Sequence, residues 1–240
     1  MKEKLYTIPV NDAFDSDCEC PICIMRKTLE NNAVEFTMGP SYMDDDVRAE
    51  TDKTGFCNYH LGKLYENNNR LGLALMLKTH MDKTIKDLES LSAKKGKGPS
   101  LFKKSSEVTP VKEYTDTLKN SCYICNKIEN MFSLYIVTFY YLYENDSAFR
   151  DKFKASKGLC TEHYGLLFQS ADKHLSAEKA ENFREELNKV YFDNMKRVRE
   201  DLEWFIDKFD YRYVNEPWKN SKDALPRAMI KTNSAFEADK

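Results

Sequence analysis

Gly55-Phe56-Cys57-Asn58-Tyr59-His60 returns 103 positions later as Gly158-Leu159-Cys160-Thr161-Glu162-His163, and Cys20-Pro21-Ile22-Cys23 returns after 102 as Cys122-Tyr123-Ile124-Cys125. From second to third cysteine the gap is 34 positions in the first copy and 35 in the second. Self-similarity at one period sets the architecture before any helix is assigned, and it predicts two similar halves built by duplication. The pattern takes six of the seven cysteines.

These residue types in this order point to a metal. Zinc takes four nitrogen or sulfur ligands in a tetrahedron, and two thiolates two residues apart reach one ion across a tight turn. Cys-x-x-Cys supplies half a site and Cys-x-x-His the other half, with a glycine letting the backbone turn before the first ligand. The expectation is that each half completes its own Cys3His set, Cys20, Cys23, Cys57 and His60 in one and Cys122, Cys125, Cys160 and His163 in the other. Two zinc ions follow, although thiolate and imidazole also accept iron and cobalt. A single Cys-x-x-Cys is weak evidence, but four pairs in one order at one spacing are strong. The competing readings are reduced core cysteines, against which the paired histidines speak, and a thioredoxin-like redox motif, which needs a βαβ context that the sequence lacks. A closed four-ligand site leaves no position for water, so these ions are expected to be structural.

Around the ligands the chain reads as mainly α. Ala180, Phe183, Leu187, Val190, Val198, Leu202, Phe205 and Phe209 recur at three- and four-residue spacing behind a candidate N-cap at Ser176. Leu73, Met76, Leu77, Met81, Ile85 and Leu88 do the same after the first Cys-x-x-His. Met131 to Tyr143 is apolar on nearly every side, as a buried central helix is; its Tyr135, Tyr140, Tyr141 and Tyr143 read as core in preference to a ligand pocket. No alternating strand pattern appears. Lys94, Lys95, Gly96, Lys97, Gly98 and Pro99 cannot continue a helix, which divides the chain into a first repeat over 1–92, a basic linker over 93–112, a second repeat over 113–214 and an irregular tail over 215–240 anchored by Trp218.

Residues outside the quartets receive quieter readings. Cys18 lacks an evident activating base and reads as an unreactive thiol. His80 and His174 have no counterpart in the other half and read as satisfied or solvated. Asp44-Asp45-Asp46 reads as a helix start favoured by the helix dipole, with Ser41 as the capping residue, and not as a magnesium cluster.

With 37 basic and 39 acidic residues, the formal charge of -2 provides no field to gather nucleic acid or an anionic membrane. Charged residues at 32% beside 12% aromatics describe a folding chain, not a disordered one. The N-terminus lacks the apolar stretch of a secretory signal, and the longest apolar run is too short to span a bilayer. Reduced cysteines in an odd number suit a cytoplasmic protein.

The two quartets, with Gly72-Leu73-Ala74-Leu75, resemble a family of bacterial proteins known only as a domain of unknown function. The resemblance covers most of the chain outside the linker and tail; Gly39-Pro40 interrupts the family's helix between the first two pairs. It implies two metal-like quartets and brings no activity with it. No nucleophile and base constellation and no phosphate-cradling glycine loop accompanies the quartets. The reading is therefore a non-enzymatic, zinc-stabilised helical adaptor or regulatory module with a protein partner. The alternatives are a cysteine-based redox or metal sensor that releases zinc on oxidation, and an enzyme with a pocket between the halves.

Overall fold

The computed structural model describes residues 6–93 and 108–234. Among them the regular elements are helices: α1 (Thr7–Asp15), α2 (Pro21–Met38), α3 (Asp45–Thr54), α4 (Asn58–Glu66), α5 (Arg70–Ala93), α6 (Pro110–Lys119), α7 (Tyr123–Asn145), α8 (Ser147–Ala155), α9 (Thr161–His174), α10 (Ala177–Asp207) and α11 (Ala224–Asn233), with short 3-10 turns at Pro40–Met43 and Tyr211–Tyr213. The runs α1–α5 and α6–α10 follow one order. In each, a Cys-x-x-Cys opens the second helix and a Cys-x-x-His the fourth. None of the described helices is long and apolar enough to cross a membrane.

The compact units do not follow the division into 1–92 and 113–214. One unit holds Met1–Thr28 with Phe132–Lys240, and the other holds Leu29–Met131. Both boundaries therefore fall inside helices, α2 and α7. The reason lies in the helices' length. A helix as long as α2 or α7 cannot bury its whole apolar surface against the short segment that follows it, so each packs its two ends on different neighbours.

In the first unit, α1 packs on α8, α8 and α9 on α10, and α11 on both α9 and α10. Its centre is aromatic: Phe14, Phe139, Phe149, Phe153 and Phe183 are buried, with Phe14 and Phe149 centroids 5.1 Å apart in an edge-to-face contact and Tyr143 and Phe183 at 4.8 Å. The tyrosines of α7 belong to this core. Tyr140 donates its hydroxyl proton to the Leu167 carbonyl at 2.5 Å, and Tyr143 donates to Glu186 at 2.7 Å, so both rings are buried with their polar ends satisfied.

In the second unit, α3, α4 and α6 pack on α5 around Leu64, Leu73 and Met76. α2 stops at Met38 because Gly39-Pro40 cannot extend it; Pro40 instead starts the 3-10 turn. α3 begins where the aspartates predict, but the cap is Asp44 itself, whose carboxylate accepts the Asp46 and Val47 N–H groups. Ser41 is engaged with the Phe36 carbonyl instead. Asp45 and Asp46 occupy the first turn, where the helix dipole favours them.

Two expectations about the chain's later parts are corrected. Most of the linker, 94–107, lies outside the described residues, but its last three residues are helical: Pro110 opens α6 behind the N-cap Thr109, which accepts the Lys112 N–H. The tail is not irregular throughout. It carries α11, in which Pro226 is tolerated because it sits in the first turn, where backbone N–H groups have no helical acceptor. Trp218 packs on Phe205 and under the Lys208 ammonium, while Trp204 donates its indole N–H to the Pro217 carbonyl at 3.0 Å.

Candidate metal centres

All eight candidate ligands fall into two tetrads, but not by halves. Cys20 and Cys23 meet Cys160 and His163; Cys57 and His60 meet Cys122 and Cys125. Each site joins a Cys-x-x-Cys from one half to a Cys-x-x-His from the other, which corrects the expectation that each half closes its own set. Helix geometry explains the exchange. The 18 residues of α2 carry the chain about 27 Å from Cys20, and the ten of α3 rise only about 15 Å. In the second half the 23 residues of α7 span about 35 Å against about 14 Å for the nine of α8. Each Cys-x-x-His is thus left about midway along its own long helix, where His60 meets Glu30 of α2 and the His163 ring lies against Phe132 of α7. The other half's Cys-x-x-Cys lies there; in the first unit Arg26 sits over Phe132, and in the second Lys127 sits over Phe36.

The turns that present the ligands use backbone only glycine adopts easily. Gly55 has φ of +57° and Gly158 of +85°, and each is followed two residues later by a cysteine at a helix N-cap, Cys57 for α4 and Cys160 for α9. The histidine then stands on the first turn of that helix, beside its cysteine.

Within the first tetrad, His163 Nδ1 lies 3.5 Å from the Cys20 sulfur, 3.2 Å from that of Cys23 and 3.1 Å from that of Cys160, and the Cys23 and Cys160 sulfurs are 3.6 Å apart. In the second, His60 Nδ1 lies 3.3 Å from the Cys57 sulfur, 3.4 Å from Cys122 and 3.3 Å from Cys125, with Cys57 and Cys125 at 3.9 Å. A tetrahedron with ordinary zinc–sulfur and zinc–nitrogen bonds has edges of about 3.5 to 3.8 Å. The donor sets, with edges close to these, fit a tetrahedral metal ion in each tetrad.

Electrostatics makes the same point. With no cation present, three thiols at these distances cannot all ionise. In the second tetrad burial opposes the Cys122 thiolate, but the His60 ring and backbone N–H groups outweigh it and bring that thiol down to about 6. Burial and the Cys122 charge push Cys125 up to about 12. Burial also works against protonated His60, yet the Cys122 sulfur and Glu30 carboxylate raise it to about 10. In the first tetrad hydrogen bonds from Cys20 and Cys23 favour the Cys160 thiolate, while burial and Cys160 push Cys20 up to about 12. A divalent cation removes this conflict by compensating all three thiolates at once.

The surroundings of the two tetrads differ. All four ligands of the first are buried, whereas Cys57 and Cys125 in the second are half-buried. His60 Nε2 meets Glu30 Oε1 at 3.2 Å, the carboxylate–histidine arrangement that orients a metal ligand, and Lys63 and Tyr59 hold the other Glu30 oxygen at 3.3 Å. His163 Nε2 is buried and has no hydrogen-bond partner among the described residues. Cys160, in turn, accepts from the Ser234 hydroxyl at 3.1 Å.

The peptide joints beside the tetrads are closed in two ways. In the second unit, Ser121 donates directly to the Thr54 carbonyl at 2.7 Å, and the Tyr123 N–H to that of Gly55 at 2.9 Å. At the corresponding place in the first unit the Lys231 ammonium from α11 bridges the Glu19 carbonyl, at 2.7 Å, and that of Lys157. Lys231 is 1% exposed and pairs with the Glu19 carboxylate at 3.1 Å, which Arg197 also binds at 2.6 Å. Sequence reading missed Glu30, Lys231 and Ser234. Glu30 lies seven residues after Cys23 on α2, a spacing that was available as a signal; nothing local marks Lys231 or Ser234.

The remaining cysteine and histidines stay outside the tetrads. Cys18 is half-buried, accepts from the Ser16 hydroxyl at 3.2 Å, and has its thiol pushed up by burial. His80 Nδ1 meets the Asp52 carbonyl at 2.8 Å, and His174 stacks on Tyr140 with ring centres 4.8 Å apart.

Fold and site together define an all-helical protein with two Cys3His tetrads, each able to hold a metal ion. Residues 1–239 match the family of unknown function DUF6062, and the chain belongs to that family. No match was found among curated proteins or among solved structures.

Proposed function

We propose that this is a zinc-stabilised, non-enzymatic helical module, arisen by duplication of a five-helix unit, whose surface binds a protein partner in the cytoplasm. The observation that carries the reading is the closure of both tetrads: each gathers four protein ligands, leaving an ion no position for water or substrate. The ions hold segments together and the exposed helices make contacts. Met81 and Ile85, one turn apart on α5 and 60% and 53% exposed, are apolar side chains of the kind a partner helix covers. The near-balanced charge favours a protein partner over nucleic acid or membrane.

Metal content of the full chain, purified without a histidine tag, tests this, paired with thiol titration before and after chelation. The expected result is two zinc ions per chain, with six thiols reacting only after chelator is added. A chain without metal, with those thiols freely reactive, overturns the reading.

A second reading is favoured by one observation, the half-buried pair Cys57 and Cys125 with sulfurs 3.9 Å apart. Peroxide oxidising one of these thiolates to a sulfenic acid, followed by attack of the other thiol with loss of water, gives a disulfide and releases the second zinc. Release of one zinc per chain at low peroxide, with loss of those two thiols, is its signature.

A further inference from the structure

Between α10 and α11 lies a cavity of about 340 Å³, in the size range of small-ligand sites. Its walls are apolar: Met195 and Leu202 from α10, Ala228 from α11, and the aliphatic stem of Lys231, whose ammonium turns away to Glu19. Met195, Arg199 and Leu202 fall at i, i+4 and i+7, so the guanidinium of Arg199 stands beside an apolar trough along the helix, with Lys196 one turn away. No acidic residue lines the cavity. Lys196 makes no ion pair among the described residues, and Arg199 has only Glu200 at 3.9 Å on the exposed surface. An apolar trough flanked by one unpaired and one weakly paired cation is complementary to an alkyl chain ending in an anion.

We propose that the α10–α11 cavity binds a small amphipathic carboxylate of the fatty-acid class, its chain along Met195, Leu202 and Ala228 and its carboxylate on Arg199 and Lys196. Arginine binds a carboxylate through two parallel N–H groups, which fixes the head while the trough covers the chain. The site lies apart from both tetrads' ligands but shares Lys231 of α11 with the surroundings of the first.

The test is titration of the zinc-loaded full chain with dodecanoate below its micelle concentration, with hexanoate and dodecyltrimethylammonium as comparisons. Dodecanoate is expected to bind at one site per chain, at least tenfold more tightly than either comparison. The double substitution Arg199→Glu with Lys196→Glu is expected to weaken it at least tenfold, with helix content and zinc stoichiometry unchanged. A methyl spectrum of the unsubstituted protein gives a readout independent of folding of the variant: Met195 is expected to shift on titration, while buried Met25 and Met76 stay in place. Equal binding of the cationic amphiphile, unchanged binding by the variant, or a Met195 signal that does not move would each overturn the proposal.

Discussion

Glu30 and Ser234 make the two tetrads unequal. Glu30 orients His60 and supplies negative charge behind the imidazole, so Glu30→Gln is expected to weaken metal at the second tetrad by roughly 10- to 100-fold and leave the first unchanged. Competition with a graded series of chelators reads this directly, as one zinc per chain lost earlier than in the unsubstituted protein. Gly55 acts through the backbone. At φ of +57° an L side chain is strained, and a Cβ there would come within 2.7 Å of the His80 ring. Gly55→Ala is expected to cost about 1–3 kcal/mol from the backbone alone, seen as a lower urea midpoint. Adding His80→Ala relieves the collision and recovers only part of the loss. The glycines and candidate ligands were legible in the sequence because spacing along the chain carries their chemistry, whereas Glu30 stands 30 residues before His60 and Ser234 stands 74 after Cys160, so neither is marked beside the residue it touches.

At the level of elements, α11 does for the first tetrad what a direct hydrogen bond does for the second. Its Lys231 ties the residue before Cys20 to the residue before Gly158, while Ser121 and Thr54 make the equivalent joint without help. Lys231→Met leaves Glu19 buried with less compensating charge and frees two carbonyls; breaking such a pair costs about 3–5 kcal/mol. Thermal melting should fall accordingly, and zinc at the first tetrad should become the more easily chelated of the two. The aromatic centre of the same unit is a second pressure point. Phe139 is fully buried among Phe14, Phe149, Phe153 and Phe183, so Phe139→Ala is expected to destabilise the protein by about 3–5 kcal/mol in denaturant unfolding. The long helices were readable from periodicity. α11 was not, because a buried lysine and an early proline disguise a packed helix as a polar tail.

For the whole molecule the decisive matter is which half supplies which ligand. Cys20→Ala with Cys160→Ala removes two ligands from one tetrad and is expected to leave one zinc per chain; Cys20→Ala with Cys57→Ala damages both and is expected to leave none. Pairing within halves would give the opposite outcomes, and metal analysis of the two double variants distinguishes them. The exchange would make a metal in either tetrad a long-range cross-link, since Cys20 and Cys160 stand 140 positions apart, and the unit boundaries fall inside α2 and α7. By itself the sequence determined that the protein is helical and which eight side chains are candidate ligands, because helical periodicity and ligand spacing are local properties of the chain. The tertiary structure alone decided how those ligands pair: the rise of a long helix exceeds what the next short helix can return, and a repeated sequence contains both pairings equally.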